Sequence, residues 1–267
     1  MSLRITAFNA LNAFGDPARS AQAVDMIVEL APDIAVFGEA YDLEPDPTVT
    51  AQTVEHATDA FLRAGYEVAH TPYDDADHYG MLHGIMAVSR LPWIVETVPV
   101  EQRNSLDITT SDPETGRQVQ LLGVHFDHKS EARRLRQAEQ AVAARRDPLE
   151  PFVIVGDMNT LHRRDWRAAM LRTRMVRMGA NIVPTARWRG YAKDLCGMSE
   201  GTALAHIESA GLQDADPAFE PTMMARLPLV QLDHIMISDQ LSATSFERHG
   251  YSPLSDHRAI SAVLEVR

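Results

Sequence analysis

Residues 152–160 read FVIVGDMNT, a short apolar run that ends directly on Gly156, Asp157, Met158 and Asn159. A Val/Ile run this short is the pattern of a buried strand, and polar groups at its end are held rigidly by a sheet while facing the open side. Other segments end in the same way. LLGVHFDH (121–128) stops at His125, QLDHIMIS (231–238) carries Asp233 at its start, and LSDHRAISAVLEV (254–266) sets Asp256 and His257 just before a closing strand. Nearer the N-terminus, RITAFNALN (4–12) reaches Asn9, IAVFGEAY (34–41) carries Glu39, and GIMAVSRLP (84–92) is a further strand pattern.

Between these segments the periodicity changes. Leu3, Ile5 and Ala7 alternate with Arg4, Thr6 and Phe8, the period of a strand. Val24, Ile27, Val28 and Ala31 recur at helical spacing before Pro32, which predicts a helix over 21–30. The same reasoning predicts helices over 50–64, 130–146, 165–174 and 202–210, and strands over 66–70, 84–89, 94–98, 106–110, 118–125, 232–238 and 259–266. Asp112 to Gly116 supplies hairpin turn chemistry. Residues 160–230 carry the weakest pattern. Strands outnumber helices, so two packed mixed sheets flanked by helices fit better than a doubly wound parallel sheet.

The chain has 267 residues, 45% of them hydrophobic, enough for one sizeable core. Its 14 Gly and 15 Pro are spread along it and mark no linker, so a single domain over 1–267 is expected. Lys and Arg number 25 against 37 Asp and Glu, a formal charge of −12 that opposes general attraction to a polyanion. Arg-rich stretches at 133–146, 163–177 and 187–189 would have to form a local rim to offset it. Cys196 has no partner for a disulfide and reads as inert. No charged leader precedes an apolar run and no apolar stretch approaches a bilayer span, which makes a cytoplasmic protein without a membrane span the expectation; no protein partner is inferred.

Asn9, Glu39, Asp157, Asn159 and Asp256 form an oxygen-rich set without a Cys or His cage, the chemistry of a hard cation such as Mg²⁺ or Mn²⁺. The histidines are then available for proton and phosphate work. The run His125-Phe126-Asp127-His128 also looks like part of a two-zinc H-x-H-x-D-H motif, but Gly123 stands where its first histidine is needed.

In order and spacing, these segments resemble the endonuclease/exonuclease/phosphatase superfamily of DNase I-like hydrolases over nearly the whole chain. The resemblance implies a four-layer α/β sandwich and metal-assisted hydrolysis of phosphoesters. It implies Asn9 and Glu39 as metal ligands with Asp256 in or near the metal shell, Asp157 as the carboxylate that orients or deprotonates water, and Asn159 as the amide on the phosphoryl group. His257 would contact the phosphate with Asp233 fixing its tautomer, and His125 would serve the leaving group. Arg134, followed three residues later by Gln137, resembles a family feature and is expected to bind substrate, with a solvated helix face as the plainer alternative. Gly38 and His234 depart from the family's usual residues, and the Asp- and His-rich stretch 74–83 has no counterpart. Small or lipid-like phosphoesters are expected ahead of DNA or RNA. Sugar or inositol phosphates, and a binding module that has lost catalysis, are the other readings.

Overall fold

In the computed structural model, which describes residues 2–42, 47–71, 83–173, 176, 186–216, 218–223, 229–250 and 254–267, two mixed sheets pack face to face under outer layers of helix. The strands are β1 (Leu3–Asn9), β2 (Ile34–Asp42), β3 (Glu67–His70), β4 (His83–Ser89), β5 (Trp93–Val100) and β6 (Arg103–Ser111). They continue as β7 (Gln118–His125), β8 (Phe152–Asp157), β9 (Leu212–Asp214), β10 (Asp233–Ser238), β11 (Leu241–His249) and β12 (Ala259–Val266). The described helices are α1 (Pro17–Leu30), α2 (Pro47–Arg63), α3 (Glu131–Ala143), α4 (Trp166–Leu171), α5 (Ala186–Met198) and α6 (Thr202–Ser209).

The first sheet runs β11-β12-β1-β2-β4-β3 and the second β5-β6-β7-β8-β10-β9. Each holds one parallel pair, β1 with β2 and β7 with β8, and every other neighbour is antiparallel. A parallel pair needs a crossover, and α1 and α3 supply the two. The two sheets therefore share one topology, a repeat in strand order with no visible repeat in sequence.

Strand alternation sorts the core into layers. Ile5 and Ala7 point between the sheets to meet Val36, Leu121, Val155, Ile235 and Ile260. Phe8 and Phe37 face the other way, under α1 and α2, where Phe14 meets Phe37 edge-on at 4.9 Å between ring centroids. Val124 and Ile154 pack beneath Ala138 of α3 and Leu204 of α6. Helix, sheet, sheet, helix is thus the expected four-layer sandwich.

Local chemistry fixes the helix ends. Asp16 accepts from Ala18 N at 2.9 Å ahead of Pro17, and Ala31 closes α1 in the left-handed region just before Pro32. Ser130 caps α3. Against the sequence expectations, α3 stops at Ala143, α4 covers only six residues, and α5, β9 and β11 are additional elements. The stretch 74–83 lies outside the described residues apart from His83.

Gly123 faces the other sheet, where a Cβ would stand 2.8 Å from Cγ1 of Val36. Position 123 therefore points between the sheets and has no room for a histidine, which removes the zinc-motif reading on steric grounds. Gly123→Ala is expected to cost about 1–3 kcal/mol by overpacking, read by chemical denaturation. Adding Val36→Ala relieves the contact, so the double variant loses less than the sum of the two single losses.

Candidate active site

The carboxyl ends of the two parallel pairs point to one place, the position where open α/β sheets present ligands. Asn9 ends β1 beside Gly38 of β2, and His125 ends β7 beside Asp157 of β8. Asp233, the first residue of β10, pairs with Asp157. Glu39 reaches the same region because the β2–β4 ladder is irregular between Phe37 and Tyr41, with Glu39 in the left-handed region at φ 44°. Asn159 is also left-handed, at φ 50°. Such backbone costs of order 1–3 kcal/mol in a non-glycine residue and tends to gather where side chains must be aimed.

Asn9 joins the sheets. Its Nδ2 donates to Glu39 Oε1 at 3.2 Å and to Asp157 Oδ2 at 2.9 Å, while its Oδ1 accepts from Leu11 N at 3.1 Å. Asn9, expected as a cation ligand, thereby also sets the spacing of two carboxylates, and the Leu11 amide occupies one of the two lone pairs on its oxygen. Ser255 donates to Asn9 O and accepts from His257 N, which ties the last block of sequence to the first strand. Asn159 donates from its backbone to Asp157 Oδ1 at 2.8 Å and from Nδ2 to Phe126 O at 3.0 Å. That second bond uses one of the two Nδ2 hydrogens.

Charge is unevenly distributed. Burial, reinforced by Asp233 and opposed by His257 and the Asn9 hydrogen bond, pushes the Asp157 carboxyl up to about 7. Burial disfavours the His257 cation, but the Asp233 charge and its hydrogen bond to Nδ1 at 2.7 Å outweigh that and push the imidazole up to about 10. His257 Nε2 stands 3.9 Å from Asp157 Oδ2, and His125 Nε2 lies 3.3 Å from Glu39 Oε1 and 3.9 Å from Asp157 Oδ2.

These groups border a cavity of about 360 Å³. Asn9, Glu39, His125, Asp157, Asn159 and His257 line it, as does Asp256, the one exposed member of the expected set. Asp233 stands behind His257, fully buried. Arg134 is placed elsewhere: it is 0% exposed on α3, with Nε on Glu131 and Nη1 on the Asp127 carbonyl. A solvated face does not describe it, because its side chain is fully buried and held by those two groups, and it is not among the residues that line the cavity. Sequence reasoning passed over Asp194, Leu195 and Met198 of α5, and Met223, which line the same cavity. They fall in the stretch with the weakest periodicity. His128, read only as part of the zinc motif, lines it too.

The donor set suits a divalent cation. Ligand atoms of Glu39, His125 and Asp157 all lie within 4.8 Å of one another, as do those of Asp157, Asp233 and His257. Two carboxylates from opposite sheets approach across a single amide, and a hard cation would offset the charge they concentrate.

A family model described as "Endonuclease/Exonuclease/phosphatase family" matches residues 7–257. A solved endonuclease/exonuclease/phosphatase from Beutenbergia cavernae is 18% identical at a TM-score of 0.67, covering 99% of this chain and 72% of its own. An AP endonuclease from Archaeoglobus fulgidus is 14% identical at 0.62, covering 99% and 100%. A mannosyl-6-phosphatase from Bacteroides thetaiotaomicron is 16% identical at 0.59, with the same coverage. At such identities the likeness is one of fold. A search among curated proteins finds no match.

The His257–Asp233 pair makes stability depend on pH. A histidine whose folded pKa is raised stabilises the fold fully below its unfolded value, about 6.5. That contribution is lost as pH rises through the folded value of about 10. Asp233→Asn removes most of it, so the Tm gap between wild type and variant, measured without metal, is expected to be widest near pH 6.5 or just below. It should narrow toward pH 10; a gap that grows with pH would contradict the pairing.

Proposed function

The chain belongs to the endonuclease/exonuclease/phosphatase family, whose members are hydrolases acting on phosphoesters, and we propose that it cleaves a small phosphodiester with the help of Mg²⁺ or Mn²⁺. One observation carries the reading: strand ends from both sheets bring Glu39, His125 and Asp157 within 4.8 Å, beside the Asp233–His257 pair.

Asn9, Glu39 and Asp256 would hold the cation, with Asn9 also spacing the carboxylates. When bound, such an ion withdraws charge from phosphoryl oxygens. Asp157, with its carboxyl raised to about 7, is poised to take a proton from the attacking water. The water oxygen then bonds to phosphorus while the bond from phosphorus to the alcohol oxygen breaks. The remaining amide hydrogen of Asn159 faces the phosphoryl oxygens, and the His257 imidazolium offsets their growing charge. His125 supplies a proton or positive charge to the departing oxygen. With these positions filled, the chain keeps what a binding module without catalysis would have lost.

The cavity supports a small substrate. Among the described residues lining it there is no Lys or Arg, and Leu195, Met198 and Met223 add apolar surface. Beyond the His257 imidazolium, a substrate with several phosphates would find no Lys or Arg among those lining residues to pair with them. The nuclease reading rests instead on the Arg-rich stretches 133–146, 163–177 and 187–189, none of whose described arginines lines the cavity. A sugar phosphate, as in the mannosyl-6-phosphatase of similar fold, is an alternative small substrate.

Asp157→Ala, Asn159→Ala and His257→Ala are each expected to lower kcat at least about a hundredfold, with circular dichroism unchanged. Glu39→Gln should weaken apparent metal affinity with little effect on folding, and chelation should abolish turnover until Mg²⁺ or Mn²⁺ is restored. Near-normal turnover in two of the three alanine variants, or full turnover after exhaustive chelation, sinks the assignment.

The substrate is tested by salt. A protein neutralising several phosphates releases counterions, so its kcat/KM on plasmid DNA would fall steeply between low and physiological salt. A shallow slope, with better turnover of a small diester, is the expected result. Efficient plasmid nicking with a steep slope would promote the nuclease reading.

A further inference from the structure

The segment after His125 is held at almost every peptide group. Arg103 Nη1 donates to the carbonyls of His125 and Phe126 at 3.0 and 3.1 Å, and Asn159 Nδ2 donates to the latter. Gln137 Oε1 accepts from Asp127 N at 2.7 Å, and Arg134 Nη1 donates to Asp127 O at 2.8 Å. Arg134 is itself braced by Glu131, whose other oxygen accepts from Thr202 N at 2.6 Å at the start of α6. Asp127 Oδ1 then accepts from Lys129 N and Ser130 N, turning the chain sharply. A fully buried arginine carries a large desolvation cost and is kept where bonds of this kind fix a geometry. What the turn presents to the cavity is His128.

We propose, building on the phosphoester reading above, that His128 grips the alcohol portion of the substrate and that Arg134 and Gln137 act on substrate only by placing it. His128 lines the same cavity as His125, Asp157 and Asn159, together with Asp194 and Leu195 of α5. Asp194 is within electrostatic reach of Lys129 and Asp127, which sets that part of α5 beside the turn. Burial, with Arg103 and Lys129 nearby, holds the His128 ring below the usual histidine range, so it enters the cavity uncharged. A neutral imidazole offers one donor and one acceptor, which suits a hydroxyl or ester oxygen and not a second phosphate. Arg134 and Gln137 are thus positioning residues, and their spacing of three in α3 serves to seize both backbone polar groups of one residue, Asp127 N and O.

The test uses the full chain, bis(4-nitrophenyl) phosphate and added Mn²⁺. A contact made equally in ground and transition states moves KM, so His128→Asn should raise KM about tenfold with kcat within about twofold. Gln137→Ala should do the same, and the double variant should remain about tenfold from wild type instead of about a hundredfold, because a displaced histidine has nothing more to lose. Damage to the fold alone would lower kcat through the active fraction and leave KM in place. If Gln137→Ala does not fold, Gln137→Met, closer in volume, takes its place. An unchanged KM in His128→Asn, a loss in the Gln137 variant confined to kcat, or additive losses would each overturn the proposal. A wild type that turns over no phosphoester with either metal defeats the phosphoester reading and this one together; an active wild type with an unmoved KM in His128→Asn defeats this one alone.

Discussion

Two carboxylates that repel each other, Glu39 on one sheet and Asp157 on the other, are held together by the single amide of Asn9. Everything around the cavity bears on that arrangement. The parallel pairs β1–β2 and β7–β8 must end at one level, the sheets must keep one separation, and the chain beyond β12's partner strand must return through Ser255 to fasten Asn9 from behind. Concentrated negative charge in a water-poor place is unfavourable without a partner. Burial, with Asp233 adding to it, raises the Asp157 carboxyl to about 7 even with an imidazolium nearby. His257 shows the opposite response, with Asp233 behind it and Asp157 in front.

The stiff parts of the fold were the legible parts. Leu3–Asn9, Phe152–Asp157 and Ala259–Val266 are buried enough for composition alone to mark them as strands, and their polar ends were legible as a site because sheets leave such groups few other uses. β11 was not, since it is mostly exposed and a register shift between Ala243 and Ser245 breaks its alternation. α5 was hidden by Gly190 and Gly197, which lower helix propensity within it. The placement of Glu39 depends on an irregular ladder and a left-handed backbone, and neither has a signature in the letters IAVFGEAY. Arg134 and Gln137 show the limit most clearly: their spacing was readable, but their target is the backbone of Asp127, and a backbone group leaves no mark in sequence. Equally, the two sheets share a strand order while sharing no visible residues, because topology constrains connections and leaves side chains free.

That the site straddles two sheets has a thermodynamic consequence. Any ligand engaging Glu39 and Asp157 together is a cross-brace between layers that otherwise meet through Val36, Leu121, Val155 and their neighbours. By linkage, such a ligand raises the stability of the native state by RT ln(1 + [L]/Kd), about 2.7 kcal/mol at a hundredfold excess over Kd. The relation runs both ways. Val36 lies three residues before Glu39 and Gly123 two before His125, so packing between the sheets and affinity at the cavity draw on one separation. A melting curve taken with and without ligand therefore measures occupancy of the cleft, and a substitution deep in the sandwich is felt as a change in binding.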